Sequence, residues 1–538
     1  MERNKCQYGR RGMVATAHPL ATYTGLKVLE AGGNAIDAAI AIAGTTCVVM
    51  PAMCGLGGDV FALVYTAKDE SVHAVCSSGV VPNGQSAEHM RQLGYKTMPL
   101  SGILSVSVPG AVDAYYMMLE RFGTMQIRQL WEDALRYARG GFCVTPVLEA
   151  NIRDAAQRMS EFDELSGLLM PQGKPLKAGE TLCQTDLADS IESIMRDGPD
   201  VFYRGEIADK IIQYSRQHGG FFDGSELAEH QAELCDPIST TYRDKYQIYQ
   251  TPPPSQGHIM LEEMNIIEGF NLKSMSPDSA ELVHLLVEAK RLAFSDRNRY
   301  MGDPQFVDAP LDALISKSYA TKRRLHIDAN TTMAEIPEDL PQHDCDTTSF
   351  AVVDRWGNAV SFIHSLSMAF GSCVVVPETG IILNNRAGRG FTLADGHPNC
   401  IAAGKKTMHT LNAFMVLRDG APYLVANTPG GDGQPQHNMQ MAVSVLDFGM
   451  NPQQAADAPR WTHTPGTDPA TLDSAATLSI ESRFSRSTLE GLRQKGHNLN
   501  VIGPWAAGGT YQIIMFDVAK SIYLGGTDPR GEGLAFGL

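Results

Sequence analysis

The segment 346–372, DTTSFAVVDRWGNAVSFIHSLSMAFGS, decides the fold. Two runs of alternating apolar residues, 350–353 and 359–363, flank a turn at 354–358 that contains glycine and asparagine. Alternation on both sides of such a turn predicts a β-hairpin. The polar stretch 341–346, PQHDCD, has no periodicity and predicts a loop that leads into the first strand.

Thr347 stands where this loop enters the hairpin. If the peptide bond between Asp346 and Thr347 were cut, Thr347 would carry both a hydroxyl nucleophile and a free α-amine that can act as its base. A threonine at the start of a strand is more often simply a β-former. The hairpin alone therefore leaves a catalytic and a structural interpretation open.

The bulk composition indicates a globular protein with a sizeable core. Of 538 residues, 43% are apolar and 19% are charged, which suits three or four ordinary domains or fewer large α/β units. The formal charge of −16 argues against nucleic acid or an anionic membrane surface as a partner, since both require basic patches. It does not exclude an anionic substrate in a local basic pocket.

The N-terminal residues and the cysteines bear on the expected compartment. Residues 1–20 contain no apolar segment followed by a small-residue cleavage site, so no secretory signal is predicted. The uncharged stretch 38–58 contains proline and a glycine-rich end, which favours a buried helix followed by a loop over a membrane span. None of the ten cysteines forms a C-x-x-C pair, so a zinc cluster is not indicated. We expect a cytoplasmic protein with reduced thiols and no metal or organic cofactor.

Eight blocks of sequence occur in a fixed order along the chain. They are GMVATAHPLAT at 12–22, EAGGNAIDAAIA at 30–41, CGLGGDVF at 54–61, GPDVFYRGEIA at 198–208, TPPPSQG at 251–257, AFSDRNRYMGDPQF at 293–306, TPGGDGQ at 428–434 and GGTDPRGEG at 525–533. Together with the hairpin, these blocks resemble the γ-glutamyltransferase family of N-terminal-nucleophile hydrolases. The resemblance extends along nearly the whole chain.

The resemblance implies an α+β fold, a four-layer αββα sandwich with Thr347 on a central strand. It also implies that the precursor cuts itself between Asp346 and Thr347. Residues 1–346 would then form a helix-rich large subunit and residues 347–538 a small subunit, interwoven into one domain. Whether such heterodimers form homo-oligomers stays open.

The resemblance assigns catalytic roles to four residues. Thr347 would be the nucleophile, and Ser365 would contact it at a position where the family usually has threonine; a hydroxyl keeps both donor and acceptor, although Ser365 could also be an ordinary strand residue. The backbone N–H groups of Gly430 and Gly431 would form an oxyanion hole, which glycine suits because no side chain obstructs the donors. The glycines before Asp59 lack the context of a dinucleotide-binding loop, so we reject that function for them.

The substrate pocket departs from the transpeptidase pattern. The arginine with which transpeptidases hold the glutamyl α-carboxylate falls on or near Ser78. Their acidic pair, which holds the α-amine, follows paired asparagines. Here Asn385, which the resemblance places at the substrate, is followed by Arg386 and Arg389 instead. An ammonium group would therefore meet arginines instead of carboxylates. The remaining pocket positions fall on Ser367, where the family has asparagine, and on His409 and Thr410, where it has paired serines.

This set is more similar to the γ-glutamyltransferase-like amidohydrolases, of which oxamate amidohydrolase is one type. Arg386 or Arg389 could grip a substrate carboxylate in bidentate fashion, or could instead face solvent or pair with Glu378 or Asp395. His409 could form a polar wall of the pocket or be a histidine satisfied by the protein. The run 391–406 has the length and composition of a loop that could cover the site.

The sequence thus predicts an autoprocessed threonine amidohydrolase that acts on a small-molecule amide bearing a carboxylate, of the oxamate kind. A true γ-glutamyl hydrolase or transpeptidase acting on glutathione-like compounds is the first alternative. A non-catalytic family member that stays unprocessed is the second.

Overall fold

The computed structural model describes residues 5–333, 347–465 and 476–538. Its α-helices, in chain order, are α1 (Pro19–Glu30), α2 (Ala35–Val49), α3 (Ala87–Gln92), α4 (Ala111–Phe122), α5 (Ile127–Leu130), α6 (Glu132–Gly140), α7 (Pro146–Met159), α8 (Asp163–Leu169), α9 (Thr185–Asp197), α10 (Asp200–Tyr203), α11 (Glu206–Gln217), α12 (Ser225–Ala228), α13 (Gly257–Ile267), α14 (Ala280–Tyr300), α15 (Leu311–Leu314), α16 (Lys317–Arg324), α17 (Arg386–Gly390), α18 (Gly433–Leu446), α19 (Pro452–Asp457) and α20 (Arg486–Gln494).

The strands form two seven-stranded antiparallel sheets and several small ones. Sheet I has the spatial order β21 (Leu534–Gly537), β2 (Gly12–Thr16), β10 (Thr348–Asp354), β11 (Ala359–Ser365), β3 (Asp59–Thr66), β4 (Ser71–Ser77) and β7 (Glu233–Cys235). Sheet II has the order β1 (Gln7–Gly9), β20 (Ile522–Thr527), β19 (Gln512–Asp517), β15 (Ala421–Asn427), β14 (Phe414–Arg418), β9 (Tyr246–Gln250) and β8 (Ile238–Tyr242). The small sheets pair β5 (Phe142–Cys143) with β6 (Thr181–Leu182), β12 (Val375–Val376) with β13 (Ile381–Ile382), and β17 (Thr477–Glu481) with both β16 (Trp461–Thr464) and β18 (Leu499–Ile502).

The predicted hairpin is confirmed as β10 and β11, which pair antiparallel with Phe350 opposite Phe362. Its turn is held by the buried carboxylate of Asp354. One oxygen of that carboxylate accepts hydrogen bonds from the N–H groups of Trp356 and Asn358, and the other accepts one from the N–H of Ala35 at the start of α2. The hairpin is therefore tied to the helix that packs behind it.

Side chains alternate between two buried faces in the central strands of both sheets. In β2, Val14 packs with the helices outside sheet I, while Met13 and Ala15 face the layer between the sheets. In β14, Val416 packs with the helices outside sheet II, while Met415 faces the same inner layer. Each sheet thus has a helical layer on its outer face, and the predicted four-layer αββα sandwich is confirmed.

The chain before and after residue 347 contributes to both sheets. In sheet I, β10 and β11 lie between β2 and β3, and in sheet II, β14 pairs with β9. The predicted interweaving follows from these pairings, since neither segment forms a complete sheet.

Two local features depend on tertiary contacts. Helices α5 and α6 are separated at Trp131, whose indole is fully buried and donates a hydrogen bond to the carbonyl of Ile40. The run 391–406 is a loop as predicted, but its Leu393 and Ile401 pack with Met90 of α3. The loop predicted at 341–346 lies outside the described residues.

The stretch 38–58 also behaves as predicted, because α2 is buried along its whole length and is followed by turns. Asn34 caps α2 in a capping box with Asp37. Among the described residues, no helix combines the length and apolar character needed to cross a membrane.

Candidate active site

A row of polar side chains crosses one end of sheet I. Thr347 lies one residue before β10, and its Oγ1 donates a hydrogen bond of 3.1 Å to Oγ of Ser365, the last residue of β11. Ser365 is paired in register with Asp59, the first residue of β3. Continuing the β3–β4 register by one residue sets Ser78 opposite Asp59. Thr347, Ser365, Asp59 and Ser78 therefore occupy corresponding positions on four adjacent strand ends.

This row, which we call the polar row, points into the layer between the sheets. Phe61 and Ile363, two residues along their strands from Asp59 and Ser365, belong to the inner core, and side chains two residues apart share a face. Adjacent strands lie about 4.8 Å apart, so Thr347 and Asp59 are separated by roughly 10 Å at the backbone. The row thus extends from the predicted nucleophile toward Ser78 over roughly three strand spacings.

Ser367 follows the polar row in an uncommon backbone conformation. Its φ is +90°, a region that costs free energy for a non-glycine residue, and its N–H donates a hydrogen bond of 2.7 Å to Oγ of Ser365. Its own Oγ is buried and has no hydrogen-bond partner among the described residues. The strained turn therefore orients Ser365 and leaves the Ser367 hydroxyl for another group.

Asn385 supports this turn instead of facing an open pocket. Its Oδ1 accepts a hydrogen bond of 3.1 Å from the N–H of Met368, and its Nδ2 donates one of 2.8 Å to the carbonyl of Leu100. Both polar atoms of the Asn385 side chain are thus used by the protein, so the predicted contact with substrate is not the role that its geometry favours.

The loop of Gly430 and Gly431 approaches Thr347 from sheet II. It connects β15 to α18, and both glycines have positive φ, +124° and +50°. Within the described chain, neither N–H donates a hydrogen bond. Thr347 and Gly430 line the same cavity of about 140 Å³, together with Met50, Thr510 and Glu532. The N–H of Gly430, beside a cavity that Thr347 also lines, and the N–H of the adjacent Gly431 are donors of the kind that stabilises an oxyanion.

Several buried groups hold this glycine loop in place. The side-chain amide of Gln256 donates hydrogen bonds to the carbonyl of Gly431, at 2.9 Å, and to the carbonyl of Thr410. Asp432 forms a salt bridge with Arg297 in which both side chains are buried. Because α18 begins at Gly433, the positive end of its dipole faces the loop and favours negative charge there.

A buried ionic cluster surrounds Asp59. Its Oδ2 accepts a hydrogen bond of 3.0 Å from Nε2 of His409 and lies 3.3 Å from Nε of Arg386. Nη1 of Arg386 donates to Oγ1 of Thr410 at 3.2 Å. Oδ1 of Asp59 is buried and has no hydrogen-bond partner among the described residues. The polar row therefore leads from Thr347 to a group of side chains that includes both a guanidinium and a carboxylate.

His409 is a neutral hydrogen-bond donor in this cluster. Its Nδ1 accepts a hydrogen bond from the N–H of Leu411, so its proton resides on Nε2 and points at Asp59. Burial lowers the pKa of His409 to about 4, and the charges of Arg386 and Arg389 act in the same direction. Of the two predicted roles of His409, the structure thus supports a histidine satisfied by the protein.

The arginines that follow Asn385 are buried, at 2% exposure for Arg386 and 5% for Arg389. The alternative in which they face solvent or pair with Glu378 or Asp395 is wrong, because Asp395 pairs with Arg91 and Glu378 with Lys210. Asp59 lies against Arg386, so this part of the site holds a carboxylate beside the arginines that replace the acidic pair.

Sequence reasoning missed Asp59 and Gln256 as site residues. A carboxylate at the head of the apolar run VFALVY, 60–65, was the signal for Asp59, because an acid beside a buried strand needs a partner. Gln256 lies within the block 251–257, and nothing else in the sequence indicates that it belongs to the site.

Two sheets packed face to face between helical layers, with a threonine at the head of a central strand, define the class of N-terminal-nucleophile hydrolases. The family model described as gamma-glutamyltranspeptidase matches residues 21–538. The chain belongs to the γ-glutamyltranspeptidase family of N-terminal-nucleophile hydrolases, a family of enzymes, as the sequence blocks predicted.

Three similar proteins illustrate the range of this family. The glutathione hydrolase-like YwrD proenzyme of Bacillus subtilis is 35% identical over 99% of this chain and 100% of its own length. The oxamate amidohydrolase proenzyme of Klebsiella pneumoniae is 30% identical over 98% of each chain. The crystal structure of cephalosporin acylase from Bacillus halodurans has a TM-score of 0.92, with 35% identity, 100% coverage of this chain and 98% of that one.

Proposed function

We propose that this protein is an autoprocessed amidohydrolase whose nucleophile is Thr347, the N-terminal residue of a small subunit 347–538. The observation that carries the proposal is the hydrogen bond of 3.1 Å between Thr347 and Ser365, beside a cavity shared with Gly430. Two relatives are named as proenzymes, which supports the processing step.

Processing would use the same hydroxyl as turnover. Oγ1 of Thr347 attacks the carbonyl carbon of Asp346, the C–N bond to Thr347 breaks in an N-to-O acyl shift, and water hydrolyses the resulting ester. Asp346 itself lies outside the described residues. The products are the subunits 1–346 and 347–538, with a free α-amine on Thr347.

In turnover, the α-amine of Thr347, with an ordinary pKa of about 7.7–8.0, accepts the hydroxyl proton as Oγ1 attacks the substrate carbonyl. The oxyanion that forms accepts hydrogen bonds from the N–H groups of Gly430 and Gly431. The amine of the scissile bond takes the proton and leaves, and water then hydrolyses the acyl ester to release the acid.

The proposed substrate is an amide of a small carboxylic acid, of the oxamate kind. Two buried guanidinium groups, those of Arg386 and Arg389, lie where the polar row meets α17, and arginine suits a carboxylate because its donors match both oxygens. The cavity next to Thr347 is smaller than the 300–1,000 Å³ typical of sites for large ligands, which favours a small group there.

One observation favours a second candidate, a γ-glutamyl hydrolase or transpeptidase. The free Oδ1 of Asp59 supplies an acceptor for an ammonium group close to Arg386, so a substrate with both charges has partners in the cluster. The relative named glutathione hydrolase-like is consistent with this alternative.

Intact-mass analysis of the freshly purified chain tests the processing step, with Thr347→Ala as the variant and Thr348→Ala as the matched control. We expect wild type and Thr348→Ala to yield the fragments 1–346 and 347–538, and Thr347→Ala to remain one inactive chain. A processed, active Thr347→Ala protein would refute the nucleophile. A wild-type chain that stays whole and inactive would support the non-catalytic alternative.

A substrate panel then separates the two acyl groups. Oxamate and γ-glutamyl-p-nitroanilide are assayed side by side with the processed protein. Release of ammonia from oxamate alone supports the small-acid proposal, whereas release of p-nitroaniline alone refutes it and supports γ-glutamyl chemistry.

A further inference from the structure

Behind the polar row, on the helical side of sheet I, two cysteines and a histidine converge. The Sγ atoms of Cys47 and Cys54 and a ring nitrogen of His364 all lie within 4.8 Å of one another. Cys47 lies in the last turn of α2, Cys54 in the turn that follows it, and His364 on β11 next to Ser365. All three side chains are buried.

A fourth donor atom, the oxygen of a tyrosine, lies next to these three. The hydroxyl of Tyr115, a fully buried residue of α4, lies 3.5 Å from Sγ of Cys47 and 3.1 Å from Nδ1 of His364. The set therefore offers two sulfurs, one imidazole nitrogen and one phenol oxygen, from α2, the turn that follows it, β11 and α4.

The hydrogen bonds of Thr46 determine which nitrogen of His364 faces the cluster. Oγ1 of Thr46 donates its single proton to the carbonyls of Ile42 or Ala43, at 2.9 and 3.0 Å, so it accepts from Nε2 of His364 at 3.0 Å. Nε2 thus carries the proton, and the lone pair of Nδ1 points toward Tyr115 and Cys47. A histidine whose far N–H is held by an oxygen is the usual arrangement of a metal-ligating imidazole.

The distances also suit a tetrahedral ion. With Zn–S bonds of about 2.3 Å and tetrahedral angles, two sulfur ligands lie about 3.8 Å apart. Donor atoms within 4.8 Å of one another would each have to move inward by no more than about 1 Å. Such a movement is within the reach of side-chain rotation.

The surroundings favour a neutral complex of two thiolates and a divalent cation. Cys47 is 3% exposed and Cys54 is fully buried, next to the apolar core formed by α2 and sheet I. Two thiolates alone would therefore be costly in this apolar layer, whereas a bound dication balances their charge.

We propose that Cys47, Cys54 and His364 bind Zn²⁺, with Tyr115 as the neighbouring oxygen donor. Binding releases two protons, one from each thiol, and forms two Zn–S bonds and one Zn–N bond. The ion is structural: it joins the turn after α2 to β11, the strand that presents Ser365. The proposal does not depend on the proposed function, because its readout is bound metal instead of activity.

Metal content of the full chain, expressed in zinc-supplemented medium and dialysed against metal-free buffer, is the test. We expect about one zinc ion per chain in wild type and a loss of at least about tenfold in Cys47→Ser and Cys54→Ser. Cys373→Ser, which removes another buried cysteine away from the cluster, should retain the metal. Wild type expressed with Co²⁺ should show the charge-transfer absorption of thiolate-bound cobalt, a readout that requires no variant.

Three results would overturn the proposal. The first is wild-type protein without zinc and without thiolate–cobalt absorption. The second is a disulfide between Cys47 and Cys54 in protein that was alkylated at lysis. The third is zinc that remains bound in the Cys47→Ser/Cys54→Ser double variant, which would assign the ion to another site.

Discussion

Replacing Asp59 by asparagine removes one negative charge from the buried cluster while keeping its shape. Asparagine Oδ1 can still accept the proton of His409 Nε2, so the lost interaction is the ion pair with Arg386, whose Nε lies 3.3 Å from the carboxylate. The guanidinium of Arg386 is 2% exposed and cannot turn to water in the folded protein.

The cost follows from the burial of this pair. At an effective dielectric constant of 20, opposite charges about 4 Å apart attract each other by about 4 kcal/mol. Removing one partner of a buried pair typically destabilises a protein by about 3–5 kcal/mol, because the attraction between two poorly solvated charges is lost. We expect Asp59→Asn to lower the free energy of unfolding by about 3 kcal/mol.

Urea unfolding of wild type, Asp59→Asn, Arg386→Met and the double variant measures this coupling. The double variant should lose about 2 kcal/mol less than the sum of the two single losses, since each single substitution removes the same ion pair. Asp189→Asn is the matched control: Asp189 pairs with Arg139 at 2.8 Å, but both side chains are about half exposed. That variant should lose less than about 1 kcal/mol.

Equal losses in Asp59→Asn and Asp189→Asn would refute the reasoning. So would additive losses in the double variant, because additivity would mean that Asp59 and Arg386 do not interact in solution.

Three further variants test other parts of the site. Ser365→Ala should lower kcat by about 10²-fold, because Thr347 loses its hydrogen-bond partner. The control Ser361→Ala, on the same face of β11, should retain activity. Equal activities of the two variants would contradict the orienting role of Ser365. Gly430→Ala should lower kcat by about 10²-fold or more, because alanine disfavours the φ of +124° that orients this N–H. The control Gly420→Ala, in an open turn with φ of +81°, should affect stability alone. Normal turnover by Gly430→Ala would exclude the oxyanion role. Between about pH 6.5 and about pH 4 the unfolded chain protonates His409 and the folded chain does not, so the free energy of unfolding of wild type should decrease by up to about 3 kcal/mol from this group as the pH is lowered. His409→Gln, compared with wild type by urea unfolding at about pH 6.5 and about pH 4, should show a smaller decrease. An equal decrease in both proteins would contradict a neutral His409.

Much of the fold could be predicted because its signals are local. The hairpin of β10 and β11 follows from period-2 alternation around a glycine-containing turn, and α2 follows from Asn34 before an apolar run. The break at Trp131 could not be predicted, since it depends on a carbonyl of another helix that accepts the indole N–H.

The candidate site divides in the same way. The order of motifs along the chain was enough to propose Thr347, Ser365 and the paired glycines, and the structure brings Thr347 to both Ser365 and Gly430. The motifs also located the two arginines after Asn385, but they did not show that Arg386 pairs with the carboxylate of Asp59.

By itself, the sequence determined the hairpin, through periodicity and turn chemistry, and the family, through the order of its motifs. The layered fold and the residues proposed for catalysis followed from the resemblance to that family. Only the tertiary structure decided that Asp59 meets Arg386 and His409, which lie 327 and 350 residues further along the chain. It also decided that Cys47 and Cys54 converge on His364 without a spacing motif. The physical reason is that ion pairing and ligand geometry depend on distances of a few ångströms, and those distances are set by how the strands of sheet I pair and not by separation along the chain.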